Sequence, residues 1–318
     1  MRIGVDVMGG DYWPEAPVSG ALLARLEMGE ELSLVLIGDE ATIHAELVRQ
    51  NADPAAFEIV HTPEYVGMSD SPTRAMSQKP RSSINLGIGM LKSQQLDGFV
   101  SAGNTGAMLV GSIMNLGKIG GVNRPTIAVF FPTGEGRVAL LCDVGANVDC
   151  KPEALYHFGV LGSVFMERVL KIPNPRVALL NIGEESSKGP QVVQQAYANM
   201  AESPFINFTG NVEGRDIYHG KADVYVCDGF TGNVVLKFGE SLYDVFQSRY
   251  PEDDFIKTFN FERYGGVPIL GINGISIIGH GISTGRAFVS MIRTAMEAIE
   301  AQLVDHLRAA FQSINAPN

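Results

Sequence analysis

Six short stretches combine glycine with hydroxyl, amide and carboxylate side chains from which a binding site could be built. They are DVMGGD (6–11), SAGNTG (101–106), DVGANVD (143–149), NIGEESSKG (181–189), FTGNVEGRD (208–216) and DGFTGN (228–233). In SAGNTG, Gly103 and Gly106 let a ligand approach the backbone, while Ser101, Asn104 and Thr105 offer hydrogen bonds. The apolar run that follows predicts a helix, whose first N–H groups favour an anion. The same residues also suit a plain helix start with Asn104 or Thr105 as N-cap. Both readings stand at this point. The glycine spacing fits neither a Walker A loop nor G-x-G-x-x-G, so no nucleotide is indicated.

QKPRSSI (78–84) places Lys79, Arg81, Ser82 and Ser83 at another helix start, where a serine cap and an oxyanion contact are both consistent. Arg124, in NRPTIA, adds a loop cation. Among the carboxylates, Asp6 and Asp11 frame two glycines, Asp143 and Asp149 frame VGAN, and Asp228 ends an apolar run. Asp228 either orients a reacting partner or caps the next helix. Glu153 and His157 lie one helical turn apart, but no third metal ligand accompanies them. Cys150 with His280 would make a nucleophile and base, yet Cys150 follows no nucleophile-elbow sequence. His280, in IGHGIST, reads equally as proton donor, anion contact or structural histidine.

These residues need a scaffold, and the remaining sequence supplies one. Of 318 residues, 45% are hydrophobic and 19% charged, as in a soluble globular protein. Apolar runs at 2–7, 32–38, 57–61, 97–102, 126–131, 137–144, 176–183 and 222–228 predict strands, several buried on both faces. Helices are expected over 14–28, 40–50, 83–94, 105–117, 152–170, 189–201, 231–247 and 284–312. This alternation predicts a three-layer α/β/α fold on a mostly parallel mixed sheet. No linker composition divides the chain, so one domain over 1–318, built of two intertwined lobes, is expected. In such sheets ligands bind beyond the carboxyl ends of the strands, which suits all six turns.

The formal charge of −11 argues against nucleic acid as a partner and against adsorption to an anionic membrane. Three cysteines without a Cys-x-x-Cys pair suggest neither a disulfide framework nor zinc. No apolar run is long enough to span a bilayer and the first residues lack a signal-peptide pattern, so a cytoplasmic location is expected.

Read in order, DVMGGD, SAGNTGA, Arg124-Pro125, DVGANVDCKPE, NIGEESSKG, FTGNVEGRDI, DGFTGNVVLK, YGG and GHGIST resemble the PlsX-type phosphate acyltransferases over nearly the whole chain. The resemblance implies a fold like that of isocitrate/isopropylmalate dehydrogenases and phosphate acetyltransferases. It also implies conversion of acyl-(acyl carrier protein) and inorganic phosphate into acyl phosphate and free carrier, in phospholipid biosynthesis. It implies a homodimer needing no cofactor or metal, peripheral contact with the membrane, and a membrane glycerol-3-phosphate acyltransferase as consumer of the product. Phosphate oxygen can attack a thioester directly, so no Ser or Cys nucleophile is required. On this reading Lys79, Ser83, Ser101, Gly103, Asn104 and Thr105 hold phosphate. Asn147 and Asn233 stabilise the oxyanion, and His280 or Asp228 manages protons.

Two departures stand out. Relatives often carry R-x-K-K-D-S-S where this chain has SQKPRSS (77–83), so Ser77 and Arg81 redistribute the charge. The interval 238–263 is shorter than the amphipathic insert of many relatives, which weakens the expectation of membrane docking and of dimer contacts there. Because acyl carrier proteins are acidic, docking on this acidic chain requires a local basic patch, for which Arg74, Lys79, Arg81, Arg124 and Lys151 are the candidates. The alternatives on this fold are a phosphate acetyltransferase or a β-decarboxylating dehydrogenase, and, outside catalysis, an inactive scaffold that binds carrier protein.

Overall fold

The computed structural model describes residues 1–29, 31–134, 136–260, 263–264 and 266–316. In chain order the elements are β1 (Arg2–Asp6), α1 (Glu15–Met28), β2 (Ser33–Gly38), α2 (Glu40–Arg49), β3 (Glu58–His61), α3 (Pro72–Gln78), α4 (Ser83–Lys92), β4 (Gly98–Ser101) and α5 (Thr105–Leu116). They continue with β5 (Thr126–Pro132), β6 (Val138–Cys142), α6 (Pro152–Arg168), β7 (Arg176–Leu180), α7 (Gln191–Ala201), β8 (Asn207–Val212), β9 (Val224–Val226), α8 (Gly229–Arg249) and α9 (Asp254–Lys257). The last are β10 (Val267–Leu270), β11 (Ile275–Ile278), α10 (Gly285–Glu300) and α11 (Leu303–Ile314).

The chain forms two compact units, each assembled from two segments. The first comprises 1–117 and 261–300, the second 118–260 and 301–318. In the first unit the strand order is β3-β2-β1-β4-β11-β10. Only β10 runs antiparallel, against β11. Successive residues of β4 show why helices cover both faces. A side chain at Gly98 would touch Ala295 and Ile299 of α10, whereas Phe99 fills the space that a side chain at Gly87 of α4 would need. Such period-2 alternation, buried on both sides, is the mark of a sheet inside an α/β/α sandwich.

The second unit repeats the plan with strand order β5-β6-β9-β7-β8, β5 alone antiparallel. Phe130 meets Phe165 of α6, while the next residue, Phe131, meets Tyr218 and occupies the space beside Gly239 of α8. Opposite helices again cover opposite faces.

Three expectations change. Residues 207–212, read as part of a polar turn, form strand β8; its Gly210 at φ 100° sits by a register shift against β7. The single helix expected over 284–312 is two, α10 and α11, divided where Gln302 takes a left-handed conformation (φ 49°). Helices α3 and α9 and strands β10 and β11 lie outside the expected elements.

The chain leaves β1 toward β2 and β3 on one side and returns to β4 on the other. That reversal is a topological switch point, where open α/β sheets bind ligands. DVMGGD and SAGNTG leave the sheet there.

Candidate active site

In the first unit the site is built on Asp6, at the end of β1. It is 1% exposed, and its carboxylate accepts from the Met8 N–H (3.0 Å), from Ser101 Oγ (2.6 Å) and from Ser83. Burial pushes its pKa up, against the opposing effect of those hydrogen bonds. Ser101 Oγ in turn accepts from the Gly103 N–H (3.0 Å), so a chain of hydrogen bonds holds the 101–106 turn to the end of β1. A side chain at Gly9 would strike Asp6 Oδ2, the Gly103 nitrogen and Ser101 Oγ, all within 2.9 Å. Ser83, Ser101 and Gly103 are thus brought together as an inner layer under the turn.

Asn104 is the N-cap of α5. Its Oδ1 accepts from the Ala107 N–H (3.0 Å), and its Nδ2 donates to the carbonyls of Gly67, Met68 and Asp70 at 3.0–3.2 Å. With all its polar atoms engaged, the side chain ties the 67–70 loop to the helix start. The N–H groups of Thr105 and Gly106 and the exposed Thr105 hydroxyl find no partner among the described residues. They are the orphan donors of a helix N-terminus, at its positive end. Lys79 donates to Asp70 Oδ2 (2.6 Å) and to the Tyr65 carbonyl (3.0 Å), and lies over the Tyr65 ring. Asp70 is held below the ordinary carboxylate range chiefly by Lys79. His280, half-buried, follows β11 in the same unit; the adjoining Gly281 carbonyl accepts from the Asp11 N–H.

In the second unit Asp143 has the corresponding place after β6. Fully buried, it accepts from Thr126 Oγ1 and the Ile127 N–H (both 3.0 Å), and from the N–H and Nδ2 of Asn147 (2.6 and 3.0 Å). Burial raises its pKa too. The other Nδ2 hydrogen of Asn147 goes to the Pro125 carbonyl (2.8 Å). Both hydrogens of that amide are therefore taken, and in this arrangement Asn147 fixes the 143–147 turn rather than offering a donor.

Asp228 caps α8, accepting from the Thr231 N–H (2.9 Å) and Thr231 Oγ1 (2.7 Å). A Cβ at Gly232 would lie 1.8 Å from the Asp143 carbonyl oxygen, so α8 starts in direct contact with the Asp143 backbone. Asn233 is exposed one turn into α8, its amide without a partner among the described residues.

The Cys150 thiol is pushed up to about 12 by burial and by the charges of Asp143 and Asp228, which leaves almost no thiolate near neutral pH. His157 accepts from the Asn123 N–H at 3.0 Å and packs edge-on to Phe311, so its role is structural. Sequence reasoning gave Asp6 and Asp143 no role. Their signal was an aspartate ending an apolar run ahead of a glycine-containing turn, paired glycines after Asp6 and the single Gly145 after Asp143.

The chain matches the family described as "Fatty acid synthesis protein" over residues 1–306. It is 42% identical over 333 residues to a phosphate acyltransferase of Pelotomaculum thermopropionicum, covering 99% of this chain and 96% of that protein. Among solved structures it is similar to a phosphotransacetylase from Streptococcus pyogenes (TM-score 0.67, 18% identity, 96% and 94% of the two chains). It is also similar to a 4-hydroxythreonine-4-phosphate dehydrogenase from Klebsiella pneumoniae (TM-score 0.56, 14% identity, 94% and 98%). At such identities these two likenesses speak for the fold alone, a dehydrogenase-like α/β architecture. The family match and the near-full-length relative together decide the matter: the chain belongs to the fatty acid synthesis protein family and is a phosphate acyltransferase.

Proposed function

We propose that the acyl donor is acyl carrier protein and that inorganic phosphate attacks its thioester directly, giving acyl phosphate and free carrier. The observation that carries this reading is the start of α5, where two unpartnered N–H groups and a hydroxyl stand behind a neutral cap at the sheet's switch point. An anion of phosphate's size takes donors of that kind. Thr105 and the backbone of Gly106 bind the phosphate. Lys79, with a third ammonium hydrogen beyond its two bonds, supplies positive charge. Ser83, Ser101, Gly103 and Asn104 fix the turn.

A phosphate oxygen adds to the thioester carbonyl carbon, and the carbonyl π pair moves onto oxygen. Collapse of the tetrahedral intermediate breaks the C–S bond, and the carrier thiolate departs and takes a proton, for which His280 is the proposed donor. Asn233, its amide unengaged, is proposed for the oxyanion; Asn147 and Asp228 hold the second unit's turns in place.

The acidic carrier docks on Arg74 and Arg81, which flank Lys79 in sequence, with Arg124 and Lys151 as the second unit's cations. The homodimer forms through α8, where Phe230, Val234, Phe238, Val245 and Phe246 leave an exposed apolar stripe at helical spacing. Among the described residues no helix is long and apolar enough to cross a membrane. Contact with a membrane glycerol-3-phosphate acyltransferase is proposed as peripheral, from a cytoplasmic location. Incubation with acyl carrier thioester and labelled phosphate should yield acyl phosphate, trapped by hydroxylamine as the hydroxamate. A folded protein that yields none refutes the reading.

A further inference from the structure

Beside the proposed phosphate cradle, and within the same unit, lies a pocket of about 300 Å³ lined by Met8, Gly10, Asp11, Trp13, Tyr65, Val66, Gly67 and Met68. Its size falls at the lower end of small-molecule sites. We infer that this pocket receives the acyl chain and sets the chain-length preference; the inference rests on the phosphate-transfer reading above.

Three observations support it. The first is continuity with the cradle. Asn104, the cap of α5, donates to the carbonyls of Gly67 (3.1 Å) and Met68 (3.2 Å), so one wall of the pocket is bonded to the residue that opens the phosphate site. The opposite wall is as close. A Cβ at Gly10, itself at φ 94°, would lie 3.2 Å from Ala102, the residue after Ser101. An acyl phosphate anchored at Thr105 and Gly106 therefore has this partly apolar pocket bonded to the residue that caps its cradle.

The second is the lining. Trp13, Tyr65 and Met68 are 36%, 44% and 48% exposed, although large apolar side chains gain most from being covered. The Trp13 and Tyr65 rings lie 5.9 Å apart and form a hydrophobic wall. Methionines at positions 8 and 68 are unbranched and adapt to a flexible chain. The third is charge. Asp11 is the pocket's one carboxylate and is exposed, which disfavours a second anion and suits a neutral occupant.

Trp13 is the only tryptophan in the chain, so its emission reports on this pocket alone. The probes are 2-oxoalkylphosphonates of four to sixteen carbons, in which a methylene replaces the bridging oxygen of acyl phosphate. Longer members should shift Trp13 emission to the blue in a saturable way. Affinity should rise about fourfold per methylene until the pocket is filled. Met68→Lys should weaken the long-chain probes at least tenfold while leaving the four-carbon probe within about twofold.

Two results overturn the inference: long-chain phosphonates that bind by calorimetry without moving Trp13 emission, and an emission shift reproduced by carrier protein bearing no acyl chain. Insensitivity to Met68→Lys in a variant with wild-type melting behaviour overturns it as well. Hydroxamate trapping reads the catalytic assignment separately. A protein that makes acyl phosphate but shows no Trp13 response loses only the pocket, and a folded protein that makes none loses the reaction.

Discussion

The two units solve one problem with different chemistry. Each ends a central strand in a buried aspartate, Asp6 or Asp143, that organises a glycine-containing turn, and each has a nearby helix starting from a side-chain cap. The caps differ in charge. Asn104 before α5 is neutral, so the positive end of that helix keeps its field. Asp228 before α8 is acidic and offsets the same field. An anion should therefore prefer the first unit. The buried aspartates differ as well. Two of the three donors to Asp6 are hydroxyls, which can turn to other acceptors. Three of the four donors to Asp143 are N–H groups fixed by the backbone and by an amide bonded at both hydrogens.

The largest effect follows from that second contrast. Asp143→Ala strands buried donors that cannot reorient, each worth about 1–3 kcal/mol when unsatisfied, and should destabilise the protein by about 4 kcal/mol. Asp6→Ala should cost roughly half as much. Thermal melts of the two variants check this; equal losses would erase the distinction.

Next comes exchange of the caps. Asn104→Asp keeps an acceptor for the Ala107 N–H but adds a negative charge beside the proposed phosphate. At about 5–6 Å and an effective dielectric near 20, repulsion from one phosphate charge is about 3 kcal/mol, so KM for phosphate should rise on the order of 100-fold. Some stability will also be lost, because a carboxylate cannot donate to the carbonyls of 67–70, and a melt separates that loss from the kinetic effect. The reciprocal Asp228→Asn keeps its cap and should change KM for phosphate by less than about threefold. A comparable rise in both variants would mean that the cradle is not at α5.

An effect of similar size, on kcat instead of KM, is expected at Asn233. Loss of one oxyanion donor typically lowers kcat about 100-fold. Asn233→Ala should do so with KM for phosphate and melting temperature nearly unchanged, since the side chain is exposed and unpartnered. An unaltered kcat would remove Asn233 from the reaction.

How much of this was legible in the sequence depends on the range of the interaction. Strands β1, β2, β4 and β7 show as apolar runs because burial on both faces leaves no alternation to decode. Asn104 at a helix start was legible too, since capping is local. The bond from Ser101 to Asp6 spans 95 residues and depends on β4 pairing with β1, which one sequence does not specify. The grip of Asn104 on 67–70 is hidden for the same reason. Strand β8 was mistaken for a turn because its Asn-Phe-Thr-Gly-Asn, buried only from Asn211 onward, carries turn residues at the sheet margin. The division of α10 from α11 falls at Gln302, where no glycine or proline announces the left-handed residue.

The smallest effect concerns pH, and it bears on how alike the two buried aspartates are. Burial raises the pKa of Asp6 above its ordinary 3.8, so the folded protein holds that proton more tightly than the unfolded chain does. Stability from this group is fully present below pH 3.8, declines as pH rises through the folded value, and is level beyond it. Hydrogen bonds from Ser101, Ser83 and Met8 offset part of the cost of charging. Asp70 and Glu46, held low chiefly by Lys79 and Arg49, act in the opposite sense and mask it in the wild type. The difference between wild type and Asp6→Asn removes those common contributions. Measured by melting from pH 3.5 to 8, the variant should gain relative to wild type as pH rises, and Asp143→Asn should gain in the same direction. Parallel curves for Asp6→Asn would mean that its hydrogen bonds fully compensate burial.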